Sequence, residues 1–200
     1  MTTVVGLLLA AGFSRRFGAN KLLQALSPMT CVASQACATL RGGVDHVLAI
    51  IRPGQPELAS ILTEAGAEVI VFHEAEQGMG ATLAHGVRAS RWADAWVVAL
   101  ADMPWIRPET VRSVTQALKS GAPLVAPEHV HRRGHPVGFG AGFLEELLTL
   151  RGDQGAKSIL DRHARRIHHL PCDDPGIHRD IDCLADLDSP DHPHHPKEWQ

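Results

Sequence analysis

The sequence predicts an α/β fold, a three-layer doubly wound sheet that is mainly parallel. Three observations carry this. Residues 2–9 form an unbroken apolar run with β-branched side chains, the pattern of a strand buried on both faces. Strand-like and helix-like segments then alternate as far as residue 119, as in consecutive βαβ units. The 200 residues, 44% hydrophobic and 20% charged, suit one domain with a full core and exclude disordered and fibrous classes.

The elements follow in order. A loop rich in Gly and Arg, residues 10–20, leaves the first strand. Residues 28–40 read as a helix and 44–51 as a strand, stopped by Arg52-Pro53-Gly54. A helix over 56–65 ends at Gly66. Residues 67–72 read as a strand, 79–91 as an amphipathic helix and 95–100 as a strand. Residues 108–119 form a helix with Pro in its first turn and Gly121 past its end. Beyond Pro123 the rhythm loosens: short strands at 124–126 and 137–139, helices at 143–150 and 155–164, and a last strand at 166–170. One domain spans 1–188. The tail 189–200, rich in Pro, His and Asp, is expected to be disordered.

Charge and cysteine content narrow the function. A net charge of −3 leaves no surplus of Lys and Arg to neutralise nucleic-acid phosphates. The apolar run 4–11 is too short to span a bilayer and follows no basic segment, so neither a signal peptide nor a membrane anchor is expected. Cys31, Cys37, Cys172 and Cys183 are sparse, and no disulfide framework is needed. A reducing cytoplasm is the expected location.

Ligands on such sheets bind beyond the carboxyl ends of the strands. The first such loop reads Leu9-Ala10-Ala11-Gly12-Phe13-Ser14-Arg15-Arg16-Phe17-Gly18-Ala19-Asn20-Lys21. Small residues there admit a ligand to the backbone, whose N–H groups can cradle phosphate oxygens. Arg15, Arg16 and Lys21 add positive charge on what reads as an exposed loop. A solvated basic loop is the plain alternative. Three other motifs fail at single residues. Gly18 is not followed by the Lys-Ser/Thr of a P-loop. Ser14 stands where a dinucleotide fingerprint needs Gly, and Arg16 where a nucleophile elbow does.

Asp102 follows the fourth strand and sits at its carboxyl end as an unpaired acid aimed into the crevice. A carboxylate there suits Mg²⁺, which takes one or two carboxylates plus substrate phosphates. A turn residue before Pro104 is the alternative. Asp182 could add a second carboxylate, or belong to a solvated acidic turn with Asp180 and Asp186. His131 and His135 have a zinc-like spacing, but Gly134 and Pro136 make their segment a loop.

The first loop resembles the signature of the MobA-like nucleotidyltransferases, L-A-[AG]-G-x-S-x-R-x-G-x-x-K, met by Leu9, Ala10, Ala11, Gly12, Ser14, Arg16, Gly18 and Lys21. Gly78-Met79-Gly80-Ala81-Thr82-Leu83 is similar to the family's G-M-x-x-S-L, with Thr for Ser. Leu100-Ala101-Asp102-Met103-Pro104 matches L-x-D-x-P. Arg133-Gly134-His135-Pro136-Val137, Gly152-Asp153-Gln154-Gly155-Ala156-Lys157 and Asp180-Ile181-Asp182 resemble the branch that makes molybdopterin cytosine dinucleotide. Leu26-Ser27-Pro28-Met29-Thr30 departs from the family's usual Gly-x-Pro-Leu-Leu and leaves a sugar or polyol phosphate open as acceptor.

The resemblance implies a Rossmann-like fold and transfer of a nucleoside monophosphate, CMP, from an NTP to the phosphate of molybdopterin. Arg16 and Lys21 would hold the triphosphate, with contacts from Gly12 and Ser14. Leu9, Ala10, Ala11, Gly78, Gly80 and Thr82 would line the nucleotide site, with Thr82 and the 78–80 backbone reading the base edge. Asp102 and Asp182 would hold Mg²⁺. Arg133 and His135 would face the acceptor. Transient contact with a molybdoenzyme or its chaperone follows, and neither nucleic acid nor membrane is implied. A nucleotide-binding chaperone for cofactor insertion is an alternative class. An NAD(P)H oxidoreductase is disfavoured by the missing glycine fingerprint.

Overall fold

A computed structural model describes residues 2–14, 17 and 20–187. Arg16, Gly18 and the tail 189–200 lie outside the described residues. The strands are β1 (Val4–Leu9), β2 (Ala25–Ser27), β3 (Thr30–Cys31), β4 (His46–Ile51), β5 (Glu68–Val71), β6 (Ala95–Leu100), β7 (Leu124–His129), β8 (Arg132–Arg133), β9 (Val137–Gly140) and β10 (Ile167–Pro171). The helices are α1 (Val32–Arg41), α2 (Pro56–Glu64), α3 (Met79–Ala89), α4 (Pro108–Lys119), α5 (Leu144–Leu148) and α6 (Lys157–Arg162).

The described residues form an eight-stranded sheet in the order β10-β7-β9-β6-β1-β4-β5, with β8 off this path against β7. Pairing is parallel from β6 through β1 and β4 to β5. Strand β9 runs antiparallel between β6 and β7. The fold is thus α/β, three-layered and mostly parallel, as the alternating pattern predicts.

All six residues of β1 are buried because both sheet faces are covered. Val4 and Leu8 pack with α1, α2 and α4, while Val5, Leu7 and Leu9 pack with α3, α5 and α6. Burying a leucine such as Leu8 contributes about 2–3 kcal/mol. Gly6 brings α1 close, since a Cβ there would lie 2.8 Å from Leu40 Cγ. The carboxyl ends of β1 and β6 therefore lie side by side at the middle of the sheet, where their loops converge.

The expected helix over 28–40 starts later. A short β2–β3 hairpin precedes it, closed by Ser27 Oγ and Thr30 Oγ1 at 2.7 Å. Cys31 N–H donates to Ser34 Oγ at 2.9 Å and sets the helix start at Val32. Pro28 fits the turn rather than a first helical position. The helix expected over 155–164 is only Lys157–Arg162, because Gly155 has φ +53° and cannot continue it. The sequence reading had no β8. It arises from a tight turn in which Val130 and His131 take φ of 49° and 59°, a conformation that Asn-Gly ordinarily signals.

Candidate active site

The loop after β1 walls one side of a cavity of about 440 Å³ at the carboxyl edge of the sheet. Leu9, Ala10, Ala11, Gly12 and Ser14 line it, as does Lys21. Asn20 caps a turn at Lys21–Leu23 by accepting from Leu22 N–H. Ser14, at φ 48°, accepts from Lys21 N–H at 3.4 Å, tying the two ends of the loop. Arg52 lies over the ring of Phe13, 5.2 Å from its centre, and Phe13 also lines the cavity.

Lys21 departs from the exposed position expected of it: its side chain is only 14% exposed. Its ammonium donates to Asp102 Oδ2 at 2.6 Å, Ile181 O at 2.7 Å and Asp182 Oδ1 at 3.3 Å. Asp102 is therefore ion-paired, not the unpaired acid read from the sequence. It lies just past β6, where Met103 N–H bonds back to Leu100 O, and its own carbonyl accepts from Ile181 N–H. That bond, with the Lys21 contact to Ile181, draws the segment around residue 181 against the site.

Asp102, Asp180 and Asp182 offer carboxylate oxygens within 4.8 Å of one another, the one group among the described residues able to share a metal ion. All-oxygen donors of this kind fit a hard divalent ion. Asp186 plays a different part: its Oδ2 accepts from the N–H groups of Asp182 and Cys183 at 2.7 and 2.8 Å and shapes the turn. The zinc spacing brings no pair together, since the His131 side chain is 99% exposed while His135 is half-buried in the wall of a separate cavity.

The opposite wall comes from the start of α3. Gly78 and Thr82 line the cavity, but Gly80 does not. Gly80 N–H donates to Gly152 O at 2.7 Å, and a Cβ on it would lie 2.8 Å from Arg151 O. It serves the packing of the 151–153 segment. Gly78 has φ +99°, and a Cβ there would lie 2.3 Å from Asp153 Oδ1, so only glycine fits. Its N–H donates to Ala75 O, and its carbonyl accepts from Thr82 N–H and Thr82 Oγ1. The Thr82 hydroxyl proton is thus committed within the helix, and that oxygen can meet a ligand only as an acceptor. Met79, within the 78–80 stretch expected at the base, lines the cavity too, as do Glu76 and Asp153, which the sequence does not mark as site residues. The signal for Asp153 is its place in the Gly152-Asp153-Gln154-Gly155-Ala156-Lys157 motif.

A second cavity, of about 350 Å³, adjoins the first and shares Leu9, Met79 and Leu100 with it. Its walls are apolar, with Leu83, Val98, Val137, Phe139 and Leu160. Arg132, Arg133, His135, Gln154 and Lys157 supply the polar groups. Gly134 permits this arrangement, since a Cβ on it would lie 2.5 Å from Ile177. Arg133 reaches Asp161 at 3.5 Å. Burial pushes the His135 imidazole down to about 4, against an opposing hydrogen bond with the Val98 backbone, so the ring is neutral near pH 7. The four cysteines are free thiols, and burial pushes Cys37 up to about 11, as suits a packing residue.

This pairing of a charged cavity with an apolar one bears on the comparisons with known proteins. Residues 6–168 match the MobA-like NTP transferase domain. The chain belongs to that family. It is a nucleotidyltransferase by family, and its Rossmann-like fold agrees. One similar protein is the nicotine blue oxidoreductase of Paenarthrobacter nicotinovorans, 28% identical over 193 residues, 92% of this chain and 94% of that protein. Another is the purine catabolism protein PucB of Bacillus subtilis strain 168, 30% identical over 78% of this chain and 80% of its own. Among solved structures, Rv0371c from Mycobacterium tuberculosis H37Rv superposes with a TM-score of 0.79 at 25% identity, covering 92% of this chain and 95% of its own. A manganese complex of Rv0371c gives 0.75 at 23% identity over 92% and 96% of the two chains. No described helix is long and apolar enough to cross a membrane.

Proposed function

We propose that the protein transfers CMP from CTP to the terminal phosphate of molybdopterin and releases pyrophosphate. The observation that carries this reading is the shared wall between the two cavities. A triphosphate beside Lys21 and an acceptor beside Arg133 and His135 would meet across Leu9, Met79 and Leu100.

In this reading an acceptor phosphate oxygen attacks the α-phosphorus in line. The bond from that phosphorus to the bridging α–β oxygen breaks, and pyrophosphate leaves with the electron pair. The nucleophile is already anionic, so the protein need supply no general base. Its work is positioning and charge neutralisation. Lys21 and Arg16 steady the triphosphate, and Gly12 and Ser14 offer backbone and hydroxyl contacts. Gly78 and Thr82 bound the base side, with Ala11 opposite. Arg133 and the neutral His135 orient the acceptor. Asp102, Asp180 and Asp182 are fit to hold Mg²⁺, which when bound would neutralise charge on the reacting phosphates. The manganese complex of Rv0371c is in keeping with a divalent ion on this fold.

The reaction belongs in the cytoplasm, and a molybdoenzyme or its chaperone would take the product by transient contact. The test is pyrophosphate release from each NTP in Mg²⁺, with and without molybdopterin. Release from CTP only when molybdopterin is present supports the reading. Release with a sugar or polyol phosphate instead moves the acceptor, and nucleotide binding without release points to a chaperone. A second reading has one observation in its favour, the oxidoreductase name of a 28% identical relative. Oxidation of a reduced nicotinamide cofactor, with no pyrophosphate released from any NTP, would favour it.

A further inference from the structure

Lys21 occupies the place a cation would take. Its ammonium has three N–H donors, and three oxygens surround it: Asp102 Oδ2 at 2.6 Å, Ile181 O at 2.7 Å and Asp182 Oδ1 at 3.3 Å. Two of those oxygens belong to the three acids that can share a metal ion. The ammonium and a divalent ion therefore compete for the same carboxylates, and two cations a few ångströms apart repel.

We propose that Lys21 acts as a built-in counter-ion that keeps metal out of the acidic cluster until a nucleotide arrives. The inference rests on the metal-dependent reading above and adds to it an order of loading. A triphosphate in the first cavity offers Lys21 a set of anionic oxygens, because Lys21 and Asp102 both line that cavity. Once the ammonium turns to the phosphates, the carboxylates are released to the metal. By linkage, metal and nucleotide then strengthen each other's binding by the same factor. The device also explains why a lysine read as a phosphate ligand lies partly buried against two acids.

The experiment measures Mn²⁺ binding to the full chain without nucleotide, by loss of the free-ion electron paramagnetic resonance signal. It compares the parent with Lys21→Met, which keeps the stem and removes the charge, and with Lys21→Gln, whose amide can still bond the same oxygens. Lys21→Arg is the charge-retaining control. Circular dichroism establishes that each variant is folded. The expected result is Mn²⁺ affinity at least tenfold higher, about 1.4 kcal/mol, in either neutral variant, with Lys21→Arg near the parent. Equal or weaker affinity in a folded neutral variant overturns the proposal while leaving metal-dependent transfer intact. If neither parent nor variants bind Mn²⁺, with or without CTP, the metal reading fails and this proposal with it.

Discussion

The two adjoining cavities are assembled in opposite ways. The first is polar: the loop after β1 supplies its backbone cradle, and Lys21, Asp102, Glu76 and Asp153 its charged groups. The second is gathered from β6, β7, β8, β9 and the start of α6, and most of its wall is hydrocarbon. A polar site with a backbone cradle can bind a part common to many substrates, such as a triphosphate. An apolar site built from many segments can vary with the partner molecule. On the proposed reading the first cavity carries the chemistry and the second the choice of acceptor, a division that variants falling on one side only can break.

The largest effect is expected in the first cavity. Asp102→Asn keeps shape and can still accept from Lys21, but it removes a negative charge from the acidic cluster. Turnover should fall about 10²–10³-fold, or roughly 3–4 kcal/mol, while unfolding free energy changes by about 1 kcal/mol. Pyrophosphate release against Mg²⁺ concentration checks it. An unchanged Mg²⁺ dependence would remove Asp102 from the metal and with it the division of labour.

The second cavity should reveal itself through pH. The His135 imidazole sits at about 4 in the folded chain against an ordinary value of 6.5, with burial as the main cause. Between those values the unfolded chain binds a proton that the folded chain refuses. Stability is therefore fully present above pH 6.5 and is lost as the pH falls toward 4, by roughly 2–3 kcal/mol. Urea unfolding of the parent and of His135→Gln at several pH values measures this. The variant should lack that share of the acid-side slope, and parallel slopes would mean that His135 titrates normally.

These expectations also mark what was legible in the sequence. The β1 loop and Asp102 could be read because strand, loop and chemistry are contiguous along the chain. The pairing of Lys21 with Asp102 and Asp182 could not, because those partners are 81 and 161 residues away and meet only when β1 and β6 lie side by side. The motif points Gly80 toward the ligand, yet its contact is with the remote 151–152 segment. The β7–β8 turn escaped because Val130 and His131 carry none of the usual signals for positive φ. The hairpin that brings Arg132 and Arg133 to the second cavity was consequently invisible, although Arg133 itself was not.

A smaller effect should separate the cavities kinetically. Arg133→Ala removes a cationic side chain that is 37% exposed and only loosely paired with Asp161. Loss of one such contact should raise the KM for the acceptor about tenfold, near 1.4 kcal/mol, with the KM for nucleotide unchanged. Steady-state kinetics with each substrate varied in turn decides it. A rise in the nucleotide KM instead would place Arg133 on the triphosphate and merge the two sites.

The smallest effect concerns the base. Ala11 is only 6% exposed, packs with the apolar cluster on the α3 side of the sheet and still lines the first cavity. Its methyl group therefore has little room to retreat from a ligand. A purine is larger than a pyrimidine, and overpacking a filled site costs roughly 1–3 kcal/mol, so CTP should be preferred to GTP by about one to two decades. Around the 78–82 turn, Gly78 N–H, Gly80 N–H and the Thr82 hydroxyl all bond within the protein and are not free to donate to a base. Thr82 Oγ1 and the carboxylates of Glu76 and Asp153 remain as acceptors, which suit the exocyclic amino group of cytosine. Guanine carries an amino group as well, so these acceptors alone do not separate the two bases, and space must do so. Ala11→Gly should accordingly narrow the CTP to GTP ratio of kcat/KM by about tenfold or less, with activity toward CTP nearly unchanged. Equal or GTP-favouring efficiency in the parent would overturn the cytosine assignment and leave nucleotidyl transfer standing. A parent that prefers CTP and an Ala11→Gly variant with the same ratio would move the discrimination from the methyl group to the acceptors around it.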